Sequence, residues 1–175
     1  MVEVWDGVIS GMMPVQIGMM NEGGMVEVWD GYIGWYDENS VGGMEACCTK
    51  LLDADPNCVL GNVLVHGLDV MGTGRSIYRD PEFKANMDNI VKLAETPSVT
   101  PREKLHVEGI TAWAYGEIDK AQIKWEEILL KHPTDMLALK FAHDSYFYMG
   151  YSAQMRDSLA RVLPYWRVTL HYMVT

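Results

Sequence analysis

Cysteine is scarce in this chain of 175 residues: only Cys47, Cys48 and Cys58 occur. They are too few and too oddly placed for a disulfide framework. Adjacent Cys47 and Cys48 point to different sides of a helix, and no second Cys-rich knuckle completes a zinc site. Buried thiols in a reducing compartment are the expectation. Long apolar runs are missing as well, and none approaches the roughly 18 residues of a membrane span. The N-terminus lacks the basic region and apolar core of a signal peptide, so a cytoplasmic protein is expected. Cations are few, with 14 Lys and Arg against 24 Asp and Glu and a formal net charge of -10. Nucleic acid and anionic membranes reward clustered Lys and Arg, so neither is expected as a partner. Basic peptides or partner proteins fit better.

What the chain has instead is helical punctuation at a regular interval. Arg102–Asp135 reads as two short helices broken at Gly116 and closed by Pro133. Leu105, Gly109, Ala112, Gly116, Ala121, Trp125, Ile128 and Pro133 fall where a tetratricopeptide repeat places its small, large and terminating residues. The unit also has that repeat's 34-residue period. Such a hairpin cannot bury its apolar face alone, so stacked copies are expected beside it. The predicted fold class is therefore all-α, with tetratricopeptide-like helix-turn-helix repeats stacked into a right-handed solenoid.

The flanking sequence supports further hairpins. Val28, Tyr32 and Trp35 share one helical face, and Ser40 can cap a helix over Val41–Ala54 with Met44, Cys47, Cys48, Leu51 and Leu52 as its apolar stripe. Asp55-Pro56 ends that helix. Asn57–Met71 follows, with Val59, Val63, Leu64, Leu68 and Met71 inward, and Gly61 and Gly67 allowing a neighbour to approach closely. Gly72-Thr73-Gly74 stops it, and Arg75–Asp80 is a connector longer than a standard repeat allows. Pro81 opens a helix to Glu95 carrying Phe83, Met87, Ile90, Val91 and Ala94. After the central unit come Met136–Met149, capped by Thr134-Asp135, and Ala153–Leu163 with Met155, Leu159 and Val162 inward. The ends differ from this pattern. MVEVWDG occurs twice, at Met1–Gly7 and Met25–Gly31, around a Gly/Met-rich spacer. Three segments are expected: a poorly ordered leader over 1–24, a helical-repeat domain over 25–166, and an irregular tail, RVTLHYMVT, over 167–175.

Several stretches resemble the tetratricopeptide repeat protein 38 family. His132–Trp166 carries the longest uninterrupted likeness. Ser40–Cys47, Leu52–Asn57, Gly67–Gly74 and Arg102–Val107 follow in the same order across residues 32–166. The resemblance implies further helical repeats beyond these and supplies no catalytic residues. Family members run much longer, so the chain is expected to be the N-terminal part of a longer solenoid, and possible self-association through an uncovered C-terminal repeat is expected with it.

No motif for catalysis, cofactor or metal is present. His66, His106, His132 and His143 lack HExxH or an equivalent spacing. Gly72–Ser76 lacks the remaining glycine and lysine of a phosphate loop, and it ends a helix rather than opening one. Asp53/Asp55 and Glu126/Glu127 read as solvated helix faces rather than paired acid–base carboxylates. The expected functional surface is the concave one, lined by the first helix of each pair. Its candidates are His106, Ile110 and Trp113 in the central unit and Lys140, Asp144 and Phe147 in the next, with Trp29 and Ile33 in the first pair. Ile110 and Phe141 stand where a carboxylate clamp needs polar donors, so an extended peptide with mixed apolar and polar contacts fits better. The expectation is a non-enzymatic scaffold that needs no cofactor and binds a peptide or partner protein. The rival readings are an enzyme using His143 and Asp144 as acid–base groups, and a nonfunctional truncated fragment.

Overall fold

Where each helix starts and stops is set by side chains that satisfy the backbone groups its ends leave unpaired. The computed structural model describes residues 43–72 and 75–166. Among the described residues seven helices follow one another: α1 Gly43–Ala54, α2 Val59–Gly72, α3 Pro81–Ala94, α4 Pro101–Ala114, α5 Ile118–Lys131, α6 Met136–Met149 and α7 Ser152–Val162. A single 3-10 turn, Leu163–Tyr165, closes the series. The described residues contain helices and no strand. The predicted helix carrying Val28, Tyr32 and Trp35, the Ser40 cap, the 1–24 leader and the 167–175 tail lie outside the described residues.

Three helix starts carry side-chain caps, of which the sequence reading anticipates the one at Asp135. Asp80 Oδ1 accepts from Phe83 N at 2.9 Å, with Pro81 in the first turn. Thr100 and Glu103 form a reciprocal capping box ahead of α4, and Asp135 Oδ1 accepts from Ala138 N at 2.9 Å ahead of α6. Each such cap stabilises a helix by about 1 kcal/mol. The ends of α4 and α6 share a second device. Gly116 and Gly150 adopt φ of 80° and 72°. Each closes a Schellman motif, in which Glu117 N donates to Ala112 O and Tyr151 N donates to Tyr146 O, both at 2.8 Å. At the turn between α1 and α2, Asp55 Oδ1 accepts from Asn57 N, and the Asn62 amide donates to the Pro56 and Cys58 carbonyls.

Two compact units divide the chain between Lys124 and Trp125, within α5. In the first, α1 packs on α2, α2 on α3, and α4 against both α2 and α3. Its core includes Leu51, Val63, Phe83, Met87, Ile90 and Ile110. Gly61 is a close-approach point, since a Cβ there would lie 3.3 Å from Leu51 Cγ on α1 and 3.2 Å from Cys58 Sγ. In the second unit α6 packs on α7. Trp125 stacks obliquely on Phe141 with ring centroids 5.7 Å apart, beside buried Ile128, Ala138 and Ala142. Trp166 Nε1 donates to Pro133 O at 3.1 Å and so ties the end of the helical series to the α5–α6 turn.

Two expected inward residues face outward. Leu159 is 45% exposed because the buried line of α7 runs through Ser158 and Val162, about 100° away round the helix. Val91 on α3 is exposed for the same reason, one position beyond buried Ile90.

Alanine at Gly116 or Gly150 would meet no atom within 4 Å. The cost of either substitution is therefore left-handed backbone strain alone, about 1–2 kcal/mol. Urea denaturation of Gly116→Ala and Gly150→Ala should show lowered midpoints with unchanged slopes. Unchanged midpoints would remove both glycines from the account of helix termination.

Candidate functional site

Of the residues expected to line a peptide groove, the three on α4 lie in the first unit. His106 and Ile110 have no exposed surface at all. They are core residues and offer nothing to a ligand. The reason is the number of neighbours. A helix facing one partner keeps a solvent face, but α4 packs on both α2 and α3, and its buried positions include Arg102, Glu103, His106, Val107, Gly109, Ile110 and Ala112. Trp113, near its end, is half-buried.

Lys140, Asp144 and Phe147 lie in the second unit, at successive turns of one face of α6. Lys140 Nζ donates to Asp144 Oδ2 at 2.7 Å. Phe147 is 72% exposed and sits edge-to-face with Tyr148, ring centroids 5.9 Å apart. Trp113 and Phe147 each stand three positions before a left-handed glycine, Gly116 and Gly150.

A polar constellation that pattern reading did not assemble also lies in the second unit. Glu126 on α5 accepts from the Tyr146 hydroxyl on α6 at 3.0 Å and from the Arg161 guanidinium on α7. The Tyr146 phenol is pushed well above its ordinary range, first by burial and then by the charge and hydrogen bond of Glu126. Sequence separations of 20 and 35 residues hide these partners. The one local hint was the Glu126-Glu127 pair, whose members diverge, since Glu127 pairs with Lys131 at 3.0 Å.

His143 and Asp144 are adjacent but do not form a dyad. The Asp144 carboxylate is engaged by Lys140, while the His143 ring lies 6.3 Å from that of Tyr146. His143 Nε2 is buried with no hydrogen-bond partner among the described residues. Burial holds this imidazole below its ordinary value, against the opposing charges of Glu126 and Asp144. His66, 3.9 Å from Asp69, is lowered in the same way by burial. Cys58 is buried, and burial pushes its thiol up, away from thiolate chemistry. Among the described residues no group of three His, Cys, Asp or Glu side chains could hold a metal ion. None of their helices is long and apolar enough to cross a membrane.

No model of a known protein family matches the chain, and no solved structure matches it.

The Glu126 contacts are structural, and Glu126→Gln tests them. Losing the charge that Tyr146 and Arg161 share should cost about 1 kcal/mol of stability. It should also bring the Tyr146 hydroxyl pKa down, read by NMR of ring-labelled tyrosine. A variant matching the parent in both readouts would show that Glu126 links nothing.

The two histidines give stability a pH dependence. Because His66 and His143 titrate below 6.5 in the folded chain, the unfolded state binds more protons near and below that value. Unfolding free energy should therefore fall as pH drops from about 7 to about 5. Urea midpoints at both ends of that range give the slope, and His143→Gln should reduce it. An unaltered slope in that variant would remove His143 from the effect and leave it to His66 and the carboxylates.

Proposed function

We propose that the chain is a tetratricopeptide-type scaffold that binds an extended peptide or a partner protein and performs no chemistry of its own. The carrying observation is the exposed ring of Phe147 on α6. Phe147 is left largely in solvent on a helix whose opposite side is buried through Ala138, Phe141, Ala142 and Ser145. A large ring held outward on a rigid helix costs little entropy on binding and supplies much apolar contact. Lys140 and Asp144 beside it offer a donor and an acceptor for a peptide backbone or side chain.

Several features support the repeat reading. Gly116 and Gly150 stand one 34-residue period apart, as the helix-terminating glycines of successive repeats would. Capped starts at Thr100 and Asp135 precede them. Consecutive packing of α1 through α4, with α4 on both α2 and α3, is the contact pattern of stacked hairpins. A right-handed superhelix of the tetratricopeptide repeat protein 38 type accommodates all of these. The recognition face in this reading is reduced from the sequence expectation. It keeps Lys140, Asp144 and Phe147 on α6, and the expected α4 positions His106 and Ile110 are lost to the core of the first unit.

A peptide array probed with the parent chain and with Phe147→Ser tests the proposal. Truncating an exposed anchor should weaken peptide binding at least about tenfold, the range of a modest hot spot. Its circular dichroism and melting should match the parent. Binding that survives Phe147→Ser undiminished would overturn the role assigned to this face.

A further inference from the structure

The connector between α2 and α3 is longer than a hairpin needs, and its described part is firmly held. Ile77 is buried beneath it. Arg79 N and Asp80 N both donate to Ser76 O at 3.0 Å, and Tyr78 N donates to Ser76 Oγ at 3.3 Å. Arg75 braces the segment from the side. Its Nε donates to Asp80 Oδ2 at 2.9 Å, its Nη1 reaches Asp69 Oδ2 at 3.3 Å, and its guanidinium lies 4.9 Å from the Phe83 ring centroid. What this bracing presents is the tip, Tyr78-Arg79. Tyr78 is 76% exposed, and Arg79 is exposed beside it.

The Tyr78 ring meets that of Tyr115, the C-cap of α4, at 88° with centroids 6.4 Å apart. Tyr115 is itself 41% exposed. Two rings at right angles, pre-positioned in solvent, form a corner that a compact apolar ring such as proline's can enter. The polar groups on its three residues are two phenol hydroxyls and the Arg79 guanidinium, which act chiefly as donors. Of the acids near in the chain, Asp80 is engaged by Arg75, Asp88 by Lys84 and Glu117 by Lys120, and Glu82 is exposed in the first turn of α3. At the tip itself the exposed charge is the Arg79 guanidinium. Tyrosine and arginine on a rigid support are the usual chemistry of recognition hot spots.

We propose that Tyr78, Arg79 and Tyr115 form a second recognition site, which takes an extended, proline-containing peptide bearing carboxylates. A polyproline-type strand arrives already extended and loses little entropy on docking. Its rings fill the tyrosine corner, the hydroxyls donate to its carbonyls, and Arg79 pairs with a carboxylate. The site rests on the scaffold reading only in that its ligand is a peptide. It shares no residue with the α6 face.

The test titrates the full chain, with tyrosine ring and backbone NMR signals assigned, against a ten-residue peptide of alternating glutamate and proline. A lysine-proline peptide is the control. Signals of Tyr78, Arg79 and Tyr115 should move with the acidic peptide and stay still with the basic one. Tyr78→Ala and Arg79→Glu should each weaken binding at least tenfold while leaving the melting curve unchanged, and Phe147→Ser should have no effect. Shifts confined to α6 and abolished by Phe147→Ser would overturn this site while leaving the scaffold reading intact. Equal binding of the lysine peptide, or acidic-peptide binding indifferent to Arg79→Glu, would overturn the charge assignment. No shift at Tyr78 or Tyr115 would sink the proposal outright, whatever the array on the α6 face shows.

Discussion

Enclosure of α4 by two partners is the constraint on which the first unit depends. A lone helix of 14 residues, about 21 Å long, is marginal in water, and an amphipathic hairpin gains burial on one side only. Packing on both α2 and α3 puts Val107, Ile110 and Ala112 out of solvent together. Each fully buried aliphatic side chain of valine or isoleucine size contributes about 1.5–3 kcal/mol. The same enclosure fixes what α4 cannot do. A helix packed on two partners keeps a narrow free face, here Lys104 and Glu108 with partial exposure at Trp113 and Tyr115, and the other positions expected to face a groove move into the core.

That shift explains which expectations survive. Helix ends were legible because their chemistry is local. Thr100 with Glu103, Asp135 with Ala138, and Gly116 and Gly150 at positive φ each act within a few residues, so a short window contains the whole cause. The α6 boundaries agree with the sequence expectation at both ends, and those of α2, α3 and α7 lie within two residues of theirs. Burial was less legible, because it depends on how many neighbours an element acquires. His106 and Ile110 have the spacing of a groove-lining face, and nothing in their window reveals a second packed helix. Leu159 and Val91 fail in the opposite direction, as apolar residues one position off a narrow buried line.

The polar network was the least legible part. Glu126 joins α5, α6 and α7 through residues 20 and 35 positions away. Read as one of two adjacent acids it suggests an exposed face, whereas in the fold its partners lie on two other helices. Arg75 is a milder case. Its partners are close in sequence, but only the turn at Ser76 brings Asp80 back to it, and only the fold sets Phe83 under its guanidinium. In both places a charged side chain serves architecture first.

This division of labour bears on the choice between scaffold and enzyme. Among the described residues Asp144 is held by Lys140, Glu126 by Tyr146 and Arg161, and Cys58 is buried with a raised thiol. The groups left in solvent on firm supports are of another kind, namely Phe147 near the end of α6 and Tyr78 at a braced loop tip. Aromatic rings turned outward gain only their edge-to-face partners, Tyr115 and Tyr148, and each forgoes most of the burial its size would give. Contact with a second molecule recovers such burial. The exposure of these rings is what supports the recognition role proposed above.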